Sequence, residues 1–371
     1  MTREQIPGTI VIWPGIAEEL LATKAWFARD GRFDDIDAVL FTHVGRNLGV
    51  SWGNPAGTGL VSVEYSFEGT SAHGAVDPWK GRSALDAVEL MNVAWNFRRE
   101  HLNPLQRSHY VIVDGGDQPN VVPSSATVWY FVREITAEAI RENFDTLQRI
   151  AEGAALMTDT KVRRRIIGAA WPRHFNRPIA LAMDANIQAV GLPDWSPDDQ
   201  SFAIALQRLM GSEETGLATE LTGIQEPQEQ PVSGGSDDIG DVSWAVPTVT
   251  LRYPSNVEGL TAHHWSSAMA MATPIAHKGA TAGAKVIAAT MLDLFQNEEM
   301  LADAWRYYRE EQLLNTNYVP FVGDDDPPAI EKNRETMAEF KEQLEALYYD
   351  PSQFDTYLDQ LGVDYPQLER P

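Results

Sequence analysis

The stretch IVIWPGIAEELLATKAWFARDG, residues 10–31, joins an apolar β-branched run to a helical pattern through a Pro-Gly turn. The run GTIVIW (8–13) predicts a β-strand, and the apolar spacing after it predicts a helix that ends at Gly31. A second apolar run, DAVLFTHVG (37–45), predicts the next strand. Strand, helix and strand in this order are typical of a doubly wound α/β domain with a mainly parallel sheet.

Two adjacent glutamates, Glu18 and Glu19, lie at the start of the predicted helix. Carboxylates in the first turn of a helix interact favourably with its dipole, which is the structural explanation of the pair. The functional explanation rests on position. Catalytic groups gather at the carboxyl ends of parallel strands, and the sequence predicts that both glutamates and His43 lie at such ends. The pair by itself leaves both explanations open.

Residues 59–170 follow a different pattern. Strands and two amphipathic helices occur in the order β-α-β-β-α-β, which predicts a compact ferredoxin-like α+β insert. The strand TVTLRYP (248–254) and a helix rich in small residues (259–295) then return to the pattern of the first domain. The predicted division is a first α/β segment (1–58), the insert (59–170), a second α/β segment (171–295) and an acidic helical tail (296–371).

Composition restricts the partners of the protein. The 371 residues contain 53 Asp and Glu against 29 Lys and Arg, a formal net charge of -24. Such a charge opposes general binding to nucleic acid or to an anionic membrane, so we expect a small molecule or a protein as partner. The chain has no cysteine and no apolar run long enough to span a membrane. We therefore predict a cytoplasmic protein.

A candidate metal site comes from three separate segments. His263, in TAHHW (261–265), precedes the last core helix, and we expect it at the same sheet edge as His43 and the glutamate pair. Imidazole and carboxylate ligands suit Zn or Mn. Of two neighbouring glutamates, one can bind the metal while the other takes a proton from water. A purely structural role for these residues remains open at this point.

Two loops of the insert and one later loop carry further candidates. His73, in a loop with Asp77, either hydrogen-bonds an oxyanion or caps a turn. Asn120, between two prolines, either forms a tight turn or presents its amide to a substrate carboxylate. The glycine-rich SGGSDDIGDVSW (233–244) lacks the lysine of a phosphate-binding loop. We predict that it lies beside the substrate, with Asp238 or Asp241 accepting a hydrogen bond from a metal-bound histidine.

The ordered set of these motifs resembles metallopeptidase family M20. The segments are PGIAEE, FTHVG, GTSAHGAVDPWKGRSALDA, QPNVVP, GGSDDIGDVSW and TAHHW, and the likeness runs from about Gly8 to Leu294. The resemblance implies hydrolysis of an amide bond in N-acyl amino acids, dipeptides or aminobenzoyl-glutamate-like molecules. It also implies two divalent metal ions, Zn or Mn.

The resemblance assigns roles to individual residues. Glu18 would be the general base, Glu19 and His263 would bind one metal ion, and His43 would bind the second. The insert would be a lid and dimerisation domain, whose His73 reaches the site of a partner subunit in a homodimer. Asn120 would help to hold the carboxylate of the substrate, and Asp238 in the glycine-rich loop would also contact the substrate. A related second subunit is a further possible partner within this family.

The sequence departs from the family pattern at its beginning. Family members carry, before the strand that leads to the glutamate pair, a histidine and a neighbouring cysteine or aspartate that complete the metal site. Here Met1 stands only a few residues before that strand. We therefore expect a complete two-metal site to need ligands outside this sequence. The alternative interpretation is a non-catalytic, dimeric binding or scaffold protein of the same fold.

Overall fold

The computed structural model describes residues 6–224, 226–227, 234–366 and 368. Its strands are β1 (Val39–Gly45), β2 (Gly49–Val50), β3 (Gly59–Glu68), β4 (Arg107–Asp114), β5 (Ser125–Glu134), β6 (Lys161–Ala170) and β7 (Thr248–Pro254). Its α-helices are α1 (Glu18–Leu21), α2 (Lys24–Arg29), α3 (Ala84–Arg98), α4 (Ala137–Thr158), α5 (Arg177–Val190), α6 (Pro197–Met210), α7 (Ile239–Ala245), α8 (Trp265–Met271), α9 (Pro274–Gln296), α10 (Glu298–Tyr307), α11 (Arg334–Glu345) and α12 (Tyr357–Leu361).

One sheet has the strand order β1-β7-β2. β1 pairs with β7 in parallel, and β2 pairs with β7 in the antiparallel direction. Helices α5 and α9 pack against β7, and the core beneath them includes Ile179, Val249 and Val286. The register places His43 opposite Arg252. The mixed α/β class predicted from the sequence is confirmed, and the described part of this sheet contains one parallel pair rather than a run of parallel strands.

The second sheet has the strand order β4-β5-β3-β6, and each neighbouring pair is antiparallel. Alternate residues of β5 are buried, as expected for a strand with one face on a core, whereas β3 is buried continuously from Gly59 to Val63. Helices α3 and α4 contribute to that same core, which includes Tyr65, Trp95 and Tyr130. Trp95 Nε1 donates to Ser108 Oγ at 2.9 Å, so the buried indole has a partner.

The predicted strand GTIVIW (8–13) is wrong. These residues form no strand in the described part of the chain, and Ile12 is 84% exposed. A strand needs a hydrogen-bonded neighbour, and here the segment instead runs over aromatic side chains. The Trp13 ring lies 5.6 Å from that of Phe27 and 5.4 Å from that of Phe33. Local β-propensity was therefore overridden by the lack of a pairing strand.

Two predicted helices are each divided in the structure. The first becomes α1 and α2, because Ala22 between them has a left-handed backbone with φ of 47°. The helix predicted over 259–295 becomes α8 and α9, and Pro274 is the first residue of α9, where its missing N–H is harmless. Its small residues have a packing reason, since a Cβ at Gly279 would lie 2.1 Å from the carbonyl oxygen of Pro254 in β7.

The tail after residue 296 is helical in part, as predicted, and it also crosses the insert. Trp26 Nε1 donates to the carbonyl oxygen of Asp326 at 2.7 Å, and Val322 joins Trp26 and Ile166 in a small core. All residues of α11 are exposed. In the described part of the chain, every helix is too short or too polar to cross a bilayer.

Candidate functional site

Glu19 and His263 meet at the surface beside β1. Glu19 lies in α1, and His263 lies in the loop before α8 with a left-handed backbone of φ 55°. His263 Nε2 is 3.9 Å from Glu19 Oε2, and both side chains are more than three-quarters exposed. The sequence is right that these two residues, 244 positions apart, come together.

A cavity of about 960 Å³ lies beside this pair. Glu19, His43 and His263 all line it, so the structure gathers the three predicted metal ligands around one space. Arg252 and Asn256 also line this cavity, which we call the histidine cavity. Neither residue was singled out from the sequence, because an arginine in the run TVTLRYP carries no recognisable signal.

Glu18 faces a buried acidic group rather than the solvent. Carboxylate oxygens of Glu18, Asp237 and Asp238 lie within 4.8 Å of one another. Burial raises the pKa of Glu18 to about 7, and the charges of Asp237, Asp238 and Glu19 add to the rise, while Lys24 opposes it. Half of the Glu18 carboxyls are thus ionised near neutral pH.

Two cations balance this acidic group. Lys24 Nζ lies 2.7 Å from Asp238 Oδ1, and the Lys24 backbone N–H donates to Asp238 Oδ2 at 3.0 Å. Arg173 Nη1 lies 3.9 Å from Asp237 Oδ2, with both side chains at least 90% buried. The two adjacent aspartates in the glycine-rich loop were the only sequence signal for Asp237. No sequence signal indicated Lys24 or Arg173.

Asp238 and Asp241 have partners other than those predicted. Asp238 is fully buried with both oxygens bonded to Lys24, and Asp241 accepts from the Trp171 backbone at 2.9 Å and from the Tyr318 hydroxyl at 2.8 Å. Among the described residues, neither carboxylate accepts a hydrogen bond from a histidine. Both residues hold chain segments together because a buried carboxylate requires donors.

His43 has a cationic neighbour. Arg252 Nη1 lies 2.6 Å from His43 Nδ1, and the Val44 carbonyl oxygen lies 2.7 Å from the same nitrogen. A guanidinium can only donate and a carbonyl oxygen can only accept, so these two contacts at Nδ1 favour opposite tautomers of the imidazole ring. Burial and then Arg252 lower the pKa of His43, which keeps the imidazole neutral.

His73 and Asn120 are brought together on the insert. The Gly74 N–H donates to the Asn120 carbonyl oxygen at 2.7 Å, and both side chains are exposed. His73 Nδ1 accepts from the Ala75 N–H at 3.1 Å, which leaves the ring proton on Nε2 of the neutral form. Within the described part of the chain, no hydrogen bond or ion pair joins either residue to Glu18 or Glu19.

The spacing of Glu19 and His263 bears on metal binding. Two ligands of a tetrahedral zinc ion, each at about 2.1 Å, lie roughly 3.4 Å apart. The Glu19–His263 separation of 3.9 Å therefore fits two ligands of one ion. His43 lines the same cavity, and the guanidinium of Arg252 beside it repels a cation. That His43 binds the second metal ion stays a prediction.

A mixed α/β fold with an inserted antiparallel sheet and a carboxylate–imidazole site defines a class of peptidases and amidohydrolases. Residues 56–158 match the model of the peptidase dimerisation domain of the M20 family. One of the subunits of p-aminobenzoyl-glutamate hydrolase from Escherichia coli (strain K12) is 32% identical, over 82% of this chain and 68% of its own length. The chain belongs to the M20 peptidase family.

Two other proteins extend this comparison. Xaa-Arg dipeptidase of Mus musculus is 25% identical over 84% of this chain and 65% of its own length. The chain thus spans about two thirds of the length of these relatives. A crystal structure of a protein from methicillin-resistant Staphylococcus aureus, described as an aminohydrolase, aligns with a TM-score of 0.50 and 18% identity. The alignment covers 75% of this chain and 64% of the S. aureus chain. At this level of identity, the similarity concerns the fold alone.

Proposed function

We propose that the protein hydrolyses the amide bond of an N-acyl amino acid or of an aminobenzoyl-glutamate-like small molecule. The single observation that carries this proposal is that α1 holds two adjacent carboxyl groups in different environments. Glu18 is a half-buried carboxyl with a pKa raised to about 7, and its neighbour Glu19 meets His263 at 3.9 Å. The E. coli and mouse relatives are named for hydrolysis of such amide bonds, which supports the same reaction class.

Glu18 acts as the general base. A base is most effective when its pKa lies near the working pH, and burial beside Asp237 and Asp238 raises that of Glu18 into this range. The carboxylate takes a proton from the attacking water and then carries it to the leaving nitrogen. Lys24 opposes the rise in pKa, so the group remains available as a carboxylate at neutral pH.

Glu19 and His263 hold a divalent cation, Zn or Mn, with the remaining ligands supplied from outside the described residues. When bound, such an ion polarises the amide carbonyl as a Lewis acid. The high exposure of both side chains leaves room for these ligands and for substrate. The cation requires His263 in its neutral form, with Nε2 free of its proton.

His73 and Asn120 act on the substrate from the insert. His73 presents an Nε2–H, which suits a hydrogen bond to the oxyanion of the tetrahedral intermediate. The Gly74–Asn120 hydrogen bond holds the two loops together. Since neither residue contacts Glu18 in one described chain, we assign them to the site of a partner subunit in a homodimer.

The homodimer forms through α3 and β4 of the insert. β4 is an edge strand, and Val111, Ile112 and Val113 on it are about half exposed. Phe97 on α3 is 75% exposed. Exposed apolar residues on an unpaired edge favour association with a second sheet, and the matched domain model is named for dimerisation. A related second subunit is the other candidate for this surface.

The substitution Glu18→Gln tests the proposal in the full-length native protein. We expect hydrolysis of p-aminobenzoyl-glutamate to fall by about 10²- to 10⁴-fold, as a general base is lost, while bound metal per chain and the thermal midpoint stay close to the wild-type values. Glu339→Gln, at an exposed position on α11, is the matched control. A wild-type protein that binds negligible metal and hydrolyses no acyl amino acid would instead be a dimeric binding or scaffold protein.

A further inference from the structure

Two crossover segments connect the insert to the α/β domain. Residues 51–58 lead into β3, and residues 171–176 lead out of β6. The two segments are bonded to each other, since Gly53 and Phe175 exchange backbone hydrogen bonds of 2.8 Å in both directions. Any rotation of the insert against the α/β domain has to change the backbone angles of these segments, so they form the hinge between the two bodies.

A stretch of the tail, residues 308–322, lies across this hinge, and we call it the tail strap. On the side of the α/β domain it is bonded to α7. The Tyr318 hydroxyl donates to Asp241 Oδ1 at 2.8 Å. Gln312 Nε2 donates to the Ser243 carbonyl oxygen at 2.7 Å. These bonds connect the tail strap to the helix that directly follows the acidic group of the candidate site.

The tail strap is also bonded to the insert and to the second crossover segment. The Val319 carbonyl oxygen accepts from Trp171 Nε1 at 2.8 Å and from the guanidinium of Arg141 in α4. The Phe321 ring stacks on Trp171 with 5.6 Å between the ring centres. The Arg141 guanidinium lies 4.9 Å from the centre of the Phe321 ring. One continuous segment of the tail thus contacts both bodies and the hinge between them.

The contacts of the tail strap are buried as well as directional. Buried side chains take part on each side, namely those of Tyr308, Gln312, Val322, Trp171 and Asp241. A rotation would separate donors from acceptors and leave buried polar groups unpaired, which is unfavourable. Two domains of one chain move against each other by default, unless packing between them is extensive and apolar. The tail strap adds aromatic packing across the hinge, so we expect the hinge to resist rotation.

We propose that the tail strap locks this hinge and holds the insert and the α/β domain in one fixed orientation. The insert is then a rigid arm, which does not close over the α/β domain by rotation. This gives a role to part of the tail, in which the sequence indicated no site residue. The inference goes beyond the proposed function and does not depend on it, because it concerns the relative position of two bodies and involves no chemical step.

Distances between spin labels test the lock. The chain contains no cysteine, so Asp145→Cys on α4 and Gln188→Cys on α5 place one label pair at two exposed positions, one on each body. Dilution with unlabelled protein restricts double electron–electron resonance to the two labels within one chain. We expect a single narrow distance distribution in this parent pair.

A variant with a weakened tail strap should lose this narrow distribution. Phe321→Ala removes the stack on Trp171, and Tyr318→Phe removes the hydrogen bond to Asp241. Together they should broaden the distribution by about twofold or more, because a released hinge samples several orientations. Phe340→Ala, at an exposed position on α11 of the same tail, should leave the distribution unchanged. Tyr318→Phe alone should broaden it less, and it replaces the double variant if that protein does not fold.

Two results would overturn the lock. One is a broad or two-peaked distribution in the parent pair, and the other is an equal distribution in the parent pair and the strap variant. Amide hydrolysis is measured separately on unlabelled protein, so failure of the lock leaves the proposed function standing.

Discussion

Lys24 and Asp238 form a buried ion pair that joins residues 214 positions apart in the sequence. The ammonium and the backbone N–H of Lys24 each donate to one oxygen of the Asp238 carboxylate. The ammonium also lies 5.1 Å from the ring centre of Phe41 in β1. The pair fixes α2, and with it the adjacent Glu18, against the loop before α7. The position of the proposed base thus depends on a contact between distant segments.

Lys24→Met should destabilise the protein by about 3 to 5 kcal/mol, because it leaves Asp238 buried without its cation. The loss should be greater at pH 8 than at pH 5, since protonation of Asp238 removes the unpaired charge at the lower pH. Urea unfolding at both pH values measures it. Lys80→Met breaks the exposed pair with Asp77 and should change stability by no more than about 0.5 kcal/mol. Equal effects of the two substitutions would contradict the buried ion pair.

Asp237→Asn should shift the activity profile to lower pH. The charge of Asp237 raises the pKa of Glu18, so its removal lowers that pKa and lets the base ionise in more acidic solution. The acidic limb of kcat/KM against pH, near 7 in the wild type, reports this group. The asparagine amide oxygen can still accept from the Ile239 N–H, as the Asp237 carboxylate does at 3.1 Å. An unchanged limb would show that Glu18 is not the titrating base, and Asp324→Asn in the tail serves as control.

Asp241→Asn should make stability less dependent on pH. Burial raises the pKa of Asp241 to about 7 in the folded protein, against about 3.9 when unfolded. The raised pKa contributes stability that is fully present below about pH 4 and is lost as the pH rises through 7. Asparagine keeps an acceptor for the Trp171 N–H and donates to the Tyr318 hydroxyl. Thermal midpoints of both proteins at pH 5 and pH 8 should therefore converge at the lower pH and separate at the higher.

Ile112→Lys on β4 should convert the proposed homodimer to a monomer. A charge at the centre of an apolar edge opposes burial of that surface against a second copy. Sedimentation velocity measures the mass, and Phe97→Asp on α3 should act in the same direction. Leu156→Asp replaces another exposed leucine, on α4 rather than on the proposed interface, and should leave the mass unchanged. A wild-type monomer would refute the interface.

The sequence was most informative where local pattern and burial agree. The strands of the insert and α4 were recognisable because one face of each is buried, so apolar residues recur with the period of the element. Their pairing does not follow the chain order, since β3 lies between β5 and β6. The segment GTIVIW failed for the opposite reason, since its β-propensity had no neighbouring strand to act on.

The chemistry of the candidate site was predictable only in part. Glu18, Glu19 and His263 could be selected from the sequence, because an acidic pair and a histidine stand beside predicted core elements. Arg252 and Asp237 could not, since nothing in their local sequence marks the charges that face them. The cation beside His43 was missed for the same reason, since Arg252 is its neighbour across the parallel pair.

By itself, the sequence determined the mixed α/β class, the inserted segment and the residue types available for acid–base chemistry. These follow from periodicity and composition, which act over a few residues. The tertiary structure decided which charges share one environment: the pKa of Glu18 near 7, the Lys24–Asp238 pair and the guanidinium of Arg252 beside His43. Electrostatic interactions depend on distance through space and on burial, and both are set only when distant segments pack together.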